Sequence, residues 1–221
     1  MASWRARPAA AAGQWMCFRQ VDPRWPALFH DTGAPVPTQE SGRWHREGEG
    51  YTQYMSLSPL GAWAEHARYH AIRDANLARE QRRDLWVVLV REQEIADLGG
   101  FDCFEECGLD PKIAVGDHAP SQDLAEELRV EGFRGVLSPS AALPNVANLT
   151  IFGERYEKAL HTDLAAWRNP DPEAWLPCQI AVEAGPMPIG LCTETVFLTK
   201  KHEGYRDWLT RKGRALPRNP P

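Results

Sequence analysis

A continuous apolar run over residues 85–90, Leu-Trp-Val-Val-Leu-Val, is the feature that most constrains the fold of this chain. Its length and its β-branched residues predict a buried strand. Similar but shorter patterns predict further strands over residues 15–21, 51–57, 95–98, 135–137, 148–152, 179–183 and 194–198. Their spacing is too irregular for a regular series of βαβ units, so we expect a mixed α/β fold.

The Ser58-Pro59 pair predicts the start of a long helix. Serine is a preferred N-cap residue, and proline is favoured at the first helical position. Four alanines between residues 62 and 71 favour continuation of this helix to about residue 79. Further helices are predicted over residues 101–109, 121–131 with Ser121 as the cap, 156–167 and 204–211.

The composition argues against several classes of protein. The 221 residues carry a formal net charge of -5 without a block of five like charges, so we expect no direct binding of nucleic acid. No run of about 18 apolar residues occurs, so we expect no transmembrane helix. Residues 1–13 lack the apolar core of a signal peptide, and the five cysteines form no disulfide framework, which favours a cytoplasmic protein.

Two pairs of potential metal ligands occur, and each is incomplete. Cys103 and Cys107 are four residues apart, but a zinc site would need two more ligands. His66 and His70 would share one face of a helix, but the His-Glu-x-x-His pattern is absent, and we expect surface histidines. We therefore expect no metal requirement.

Two arginines are candidates for binding phosphate. Arg43 lies in a long irregular stretch, residues 23–50, and such segments inside compact domains are often functional. The preceding Gly42 lets the backbone approach a ligand closely, and a guanidinium donates two parallel hydrogen bonds to phosphate. Arg19, in the first predicted strand, would add a second contact if it points into a cleft. A surface salt bridge for Arg43 and an outward-pointing Arg19 are the alternatives.

Three further residues complete a candidate site. Tyr54 lies in a predicted strand, where tyrosine is common, and its ring offers a platform for a flat heterocycle. Glu65 lies among apolar helix residues, where a carboxylate orients ribose hydroxyls and stabilises an oxocarbenium-like transition state. Ser140 lies in a loop between strands and offers a hydrogen bond to an amide or ribose. A solvated helix position for Glu65 and a turn cap for Ser140 are the alternatives.

This set of residue types suits an enzyme that breaks the nicotinamide–ribose bond of NAD, although no single member supports that interpretation alone. The glycine-rich patterns of Rossmann domains and P-loops are absent, so any dinucleotide would bind by another route. The order of the local patterns also resembles a known family. The segments that carry the resemblance are Phe18-Arg19, Gly42-Arg43-Trp44, Tyr54-Met55-Ser56-Leu57-Ser58-Pro59 leading to Ala64-Glu65, Gly132-Phe133-Arg134-Gly135-Val136, Pro139-Ser140-Ala141 and Asn148-Leu149-Thr150-Ile151-Phe152.

Through these segments, which cover about residues 16–153, the chain resembles the RES-domain family, named for its arginine, glutamate and serine. The resemblance implies an ADP-ribosyltransferase-like fold with a mixed, largely antiparallel central sheet flanked by helices. It also implies a toxin of a bacterial type II toxin–antitoxin pair that degrades NAD by phosphorolysis or hydrolysis. The antitoxin would carry a DNA-binding domain and block the NAD cleft. Carried over by motif, the active-site positions are Arg43, Tyr54, Glu65 and Ser140, with Arg19 as a companion.

Two departures from the family pattern leave the substrate open. His45 stands where the family often has asparagine, and Ala142 stands near a position that is often arginine. A protein ADP-ribosyltransferase and a non-catalytic binding module are the alternative functions, and self-association stays open. We expect a flexible tail over residues 1–14, an NAD-binding catalytic domain over 15–153, and a C-terminal extension over 154–221 packed on the same domain.

Overall fold

The computed structural model describes residues 4–24, 28, 39–153 and 176–214, with the backbone alone for 176–184 and 200. The described strands are β1 (Ala10–Val21), β2 (Thr52–Ser56), β3 (Arg83–Asp97), β4 (Gly135–Pro139), β5 (Ala147–Phe152) and β6 (Leu176–Ala184). The described helices are α1 (Pro59–Tyr69), α2 (Ala75–Glu80), α3 (Phe101–Glu106), α4 (His118–Val130), α5 (Leu191–Glu194) and α6 (Glu203–Arg211), with 3₁₀ turns at Pro111–Ala114 and Thr199–Lys201. This architecture confirms the predicted mixed α/β class.

The strands form one sheet in the order β1-β2-β5-β4-β3-β6, with an additional pairing of β1 with β3. Because β1 pairs with both β2 and β3, the first five strands of this order close on themselves, and β6 continues the sheet from β3. The pairing of β3 with β4 is parallel, and every other described pairing is antiparallel. The sheet is therefore mixed and largely antiparallel, as predicted.

Strands β1 and β3 are both longer than predicted. Strand β1 begins at Ala10, so residues 10–14 of the predicted tail belong to the sheet. Strand β3 spans the apolar run at 85–90 and residues 95–97 of the separately predicted strand at 95–98. The polar residues between them do not end the strand, because β1 pairs with β3 from Ala10↔Ala96 to Val21↔Asp84.

The long helix predicted over residues 59–79 is two helices. Ser58 caps α1 as predicted, since its side chain accepts from Gly61 N. The helix ends at Tyr69, and Ala71 takes a left-handed conformation with φ 53°. Asp74 then caps the start of α2 by accepting from the amides of residues 76 and 77.

Two other predictions were wrong in detail. Helix α4 begins at His118 after Asp117, so Ser121 is a buried helix residue whose Oγ donates to the carbonyls of residues 117 and 118 rather than a cap. The strand predicted over residues 194–198 is absent, because Leu191–Glu194 is helical and is followed by a loop. The helix predicted over 204–211 and the strand predicted over 179–183 are confirmed. The helix predicted over 156–167 lies outside the described residues.

The core lies on both faces of the sheet. Strand side chains fill the interior of the closed part, and each such buried aliphatic side chain contributes about 1.5–3 kcal/mol to stability. This cluster includes Cys17, Met55, Val88, Val90, Ile95, Leu149 and Ile151. A second cluster joins α3, α4 and α6 to the sheet through side chains that include Trp44, Phe104, Leu124, Leu128, Phe133, Tyr205 and Trp208. No helix in the described ranges has the length and apolarity needed to span a membrane.

This topology brings several chain segments to one end of the sheet. Asn148 at the start of β5 pairs with Ser56 at the end of β2 and with Ser138 in β4. Helix α1 leaves β2 at this end, and it packs so closely that a Cβ at Gly61 would overlap the Ser56 side chain. The loop after β4 begins at the same end, which places Ser140 next to α1.

Candidate active site

Glu65 lies in the second turn of α1, on a helix whose other face is buried. Trp63, Ala64 and Ala67 pack into the core, whereas Glu65 is only half-buried. Its Oε1 accepts two hydrogen bonds, from Ser140 Oγ and from Asn148 Nδ2, each at 2.7 Å. Its Oε2 makes no hydrogen bond to a residue in the described ranges. The carboxylate is therefore held by one oxygen, with the other available to a ligand.

Ser140 is fully buried, and its hydroxyl is completely used inside the protein. Besides donating to Glu65, Ser140 Oγ accepts from Ala142 N at 3.1 Å and from Leu143 N at 3.0 Å. These two amides direct the hydroxyl hydrogen at the carboxylate, because both acceptor positions of the oxygen are occupied. Ser140 thus both caps a turn, as in the alternative interpretation, and holds Glu65.

Arg43 lies in the loop before β2 and reaches across to the turn that precedes α4. Its Nη1 donates to Gly116 O at 3.0 Å and to Ile113 O at 3.3 Å. Burial lowers the pKa of Arg43 to about 10, while the charge of Glu65 opposes this shift. Arg43 therefore stays cationic at neutral pH and lies within electrostatic reach of the carboxylate.

Tyr54 anchors the loop that carries Arg43. Its hydroxyl accepts from Trp44 N at 2.8 Å and is joined to His45 Nδ1 at the same distance. A Cβ at Gly42 would lie 2.6 Å from the Tyr54 hydroxyl oxygen, so only glycine fits at that position without displacing the ring. Burial raises the pKa of Tyr54 well above its usual value, so the phenol keeps its proton.

Helix α4 supports the same loop from the opposite side. Gln122 Nε2 donates to Gly42 O at 2.8 Å and to His45 O at 3.2 Å, and Arg129 Nη2 donates to Trp44 O at 2.9 Å. His45, one of the two departures from the family pattern, is buried between these supports and Tyr54. Hydrogen bonds therefore hold both the backbone and the side chains of this loop.

Arg19 lies in β1 opposite Trp86, and its Nη1 donates to Gln53 Oε1 at 3.3 Å. Its charge, like that of Arg43, lowers the pKa of Tyr54 against the larger opposing effect of burial. The structure therefore brings Arg43, Tyr54, Glu65 and Ser140 into one region, with Arg19 beside Tyr54. That these residues catalyse a reaction stays a prediction.

Arg68 and His118 also lie around Glu65. Arg68, one helical turn after Glu65, donates from Nη1 to Ala141 O at 3.0 Å and also to Val196 O. Partial burial lowers the pKa of His118 at the start of α4, and the charges of Arg43 and Arg68 act in the same direction. Ala142, the second departure from the family pattern, is fully buried below this cluster. Two guanidinium groups, those of Arg43 and Arg68, therefore lie within electrostatic reach of the carboxylate.

Sequence reasoning did not single out Asn148, Arg68, Gln122 or Arg129. For Asn148 a signal was present, because asparagine is uncommon in strands and this one begins an otherwise apolar strand. The other three are ordinary helix residues whose partners lie far away in the sequence. Within the described residues no group of three or more histidine, cysteine, aspartate or glutamate side chains forms a potential metal site.

Comparisons with known proteins indicate the family of this chain. The model of the RES domain matches residues 7–175. No curated protein matches the chain. Among solved structures, the chain is similar to one from the crystal structure of the M. tuberculosis MbcT-MbcA toxin-antitoxin complex, with 20% sequence identity and a TM-score of 0.58 over 84% of this chain and 90% of that one. Since the family model covers about three quarters of the sequence, the chain belongs to the RES-domain family.

Proposed function

We propose that this protein cleaves the bond between nicotinamide and ribose in NAD and transfers the ADP-ribose group to phosphate or water. The observation that carries the proposal is the Glu65 carboxylate, held at Oε1 by Ser140 and Asn148 with Oε2 unpartnered among the described residues. A carboxylate held in this way needs no reorganisation to stabilise a developing positive charge. Membership of the RES-domain family supports NAD as the substrate.

The proposed chemistry balances without a redox step. The C1′–N bond of NAD breaks, and its electron pair neutralises the pyridinium nitrogen as nicotinamide leaves. The positive charge that develops at C1′ lies against Glu65 Oε2. An oxygen of phosphate or water then forms the new bond to C1′ and loses a proton, for which Glu65 would serve as the base.

Arg43 and Arg68 suit the anionic part of the substrate. A guanidinium donates paired hydrogen bonds to phosphate oxygens, and each of these side chains is already oriented by backbone carbonyls. Arg19, beside Tyr54, would bind the same group. Ser140 and Tyr54 would act through the groups that they hold, Glu65 and the Arg43 loop, and the Tyr54 ring would additionally contact the nicotinamide or its ribose.

A test follows nicotinamide release by the pure protein with NAD, in the presence and absence of phosphate. Glu65→Gln keeps the size of the side chain but removes its charge, and we expect turnover to fall by about 10²–10³. Glu80→Gln is the matched control, because Glu80 is exposed at the end of α2. Melting temperatures measured beside turnover separate catalysis from folding. Wild-type turnover in folded Glu65→Gln protein would remove Glu65 from the mechanism.

The same assay separates the reactions that a RES domain could perform. Release that requires phosphate identifies a phosphorylase, and release without phosphate identifies a glycohydrolase. Label from NAD that appears on a protein identifies an ADP-ribosyltransferase. Binding of NAD without release identifies a non-catalytic binding module.

We further propose that the protein is the toxin of a toxin–antitoxin pair, because it belongs to the RES-domain family and is similar to a chain of a toxin–antitoxin complex. Its antitoxin would cover the cleft and carry a DNA-binding domain. Expression alone in bacteria should then arrest growth as cellular NAD falls, and Arg43→Ala or Glu65→Ala should relieve the arrest. Arrest at normal NAD levels would oppose NAD depletion as its cause, and arrest that persists in both variants would indicate aggregation.

A further inference from the structure

The C-terminal segment, defined here as residues 186–214, contacts the loop that carries Ser140. His202 Nε2 lies 2.9 Å from Ser140 O, and Val196 N donates to Ala142 O at 2.8 Å. Arg68 on α1 donates to Val196 O. This segment lies beyond the residues matched by the RES-domain model, which end at 175. Residues outside the family match therefore complete the surroundings of Glu65.

The hydrogen bonds of His202 define its tautomer. Its Nδ1 accepts from Tyr205 N at 3.1 Å and so caps the first turn of α6. The proton of the neutral ring must then be on Nε2, which donates to Ser140 O. Burial lowers the pKa of His202, and the ring is only 1% exposed and packs edge-on against Phe101, so the neutral form is retained.

The bond from His202 controls the orientation of the Ser140 peptide. On its other side, Ser140 N donates to Val146 O at 2.8 Å, so the residue is held at both its amide and its carbonyl. With the backbone held in this way, Ser140 Oγ points at Glu65 Oε1. Without the His202 contact, Ser140 N still donates to Val146 O, but Ser140 O is no longer held by a hydrogen bond.

We propose that His202 is a positioning residue for the reaction at Glu65, acting by donating from Nε2 to Ser140 O and thereby orienting the Ser140 hydroxyl. The inference rests on the proposed function and assigns a task to the C-terminal segment. The competing explanation is that His202 serves only to cap α6. Its two ring nitrogens have separate partners, so the two roles are separable by substitution.

Two amide variants divide these roles. Asparagine places its oxygen where Nδ1 lies, so His202→Asn keeps the cap on α6 but does not reach Ser140 O. Glutamine places its amide nitrogen where Nε2 lies, so His202→Gln keeps the donor to Ser140 and loses the cap. Leu209→Ala, at a buried position of α6, is the control for destabilising that helix without changing either contact of His202.

We expect kcat for nicotinamide release by His202→Asn, assayed well below its melting temperature, to fall about tenfold at unchanged KM, the equivalent of one hydrogen bond. The loss of the donor to Ser140 O should also lower the melting temperature of this variant. His202→Gln and Leu209→Ala should melt earlier and keep kcat when assayed well below their melting temperatures. Wild-type kcat in His202→Asn, or equal losses in the Asn and Gln variants, would overturn the proposal.

Amide hydrogen exchange provides a readout that does not depend on NAD turnover. The amides of Ala142 and Leu143 both donate to Ser140 Oγ, so they report directly on the orientation of that hydroxyl. Their exchange should accelerate in His202→Asn and not in His202→Gln, even if the wild-type protein fails to cleave NAD. Equal exchange in the two variants would overturn the positioning role whatever the substrate.

Discussion

Ser140 and Asn148 donate to the same oxygen, Glu65 Oε1, and this shared acceptor makes their effects on turnover interdependent. Each donor lies 2.7 Å from that oxygen, which is the length of a strong, charge-assisted hydrogen bond. Asn148→Ala removes one donor and leaves the Ser140 bond. Ser140→Ala removes the other and also leaves the amides of Ala142 and Leu143 without their acceptor.

The magnitude follows from the strength of one such bond. A hydrogen bond to a charged group is worth about 1.5–3 kcal/mol, and about 1.4 kcal/mol corresponds to tenfold in rate. If Asn148 acts only by orienting Glu65, Asn148→Ala should reduce kcat/KM by about 10- to 100-fold, and its loss of stability should not exceed that of one such bond, about 1.5–3 kcal/mol. Ser140→Ala should cause a similar loss of activity and a larger loss of stability, of about 2–4 kcal/mol, because three hydrogen bonds are lost together.

The assay is a double-mutant cycle on nicotinamide release, with urea unfolding measured for each variant. Once one donor is absent, the Glu65 carboxylate is already free to turn, so the second substitution should reduce turnover by a smaller factor than it does alone. The loss of turnover in the double variant should therefore be smaller than the product of the two single losses. In the Glu65→Gln background, Asn148→Ala should have little further effect on turnover. Strictly multiplicative losses, or an undiminished Asn148→Ala effect in that background, would refute the idea that both residues act through Glu65.

Three other predictions concern the loop before β2 and a histidine of α1. Arg43→Lys keeps the charge but loses the planar pair of donors, so the Kd for NAD should rise by at least about tenfold, and an unchanged Kd would exclude Arg43 from phosphate binding. The added methyl group of Gly42→Ala would overlap the Tyr54 ring, so this variant should bind NAD more weakly and have a lower Tm. Gly13→Ala is the control, because its methyl group would lie 3.6 Å from the nearest side-chain atom, and it should change neither quantity. Similar effects of the two substitutions would oppose this reasoning. Burial lowers the pKa of His66 from 6.5 to about 4, so between these values the unfolded chain binds a proton that the folded chain excludes. The free energy of unfolding should therefore fall with decreasing pH over this window, by at most about 1.4 kcal/mol per pH unit for this group, and a slope that is unchanged in His66→Gln would contradict it.

Local patterns predicted the parts of the fold whose stability is local. The Ser58-Pro59 start of α1 and the short strands β2, β4 and β5 follow from capping and from β-branched runs. The break before α2 did not follow, because alanine-rich residues favour a continuous helix, and the left-handed turn at Ala71 depends on tertiary packing. The full length of β3 could likewise not be predicted from local sequence, since the polar segment of this strand is held by pairing with β1.

The candidate site was predictable as a set of residue types but not as a set of contacts. The charge of Glu65 and the donor geometry of Arg43 indicate their chemistry from the sequence. The partners that orient them come from distant segments, with Asn148 83 residues and Ser140 75 residues from Glu65. His202 gave no local signal at all, because its role depends on where α6 begins relative to the loop after β4.

The hydroxyls of Ser140 and Tyr54 illustrate what this difference means for mechanism. As residue types, both suggest direct contacts with a substrate. In the structure, Ser140 Oγ donates to Glu65 and accepts from two amides, and the Tyr54 hydroxyl accepts from Trp44 N and bonds His45. The Ser140 hydroxyl cannot bind a substrate without giving up an internal bond, and the Tyr54 hydroxyl already uses two of its three hydrogen-bonding positions inside the protein. Under the proposed function, polar recognition of NAD would depend chiefly on Glu65 Oε2 and the neighbouring guanidinium groups. Substitutions at the two hydroxyls should then act on turnover mainly through the carboxylate and the Arg43 loop that they hold.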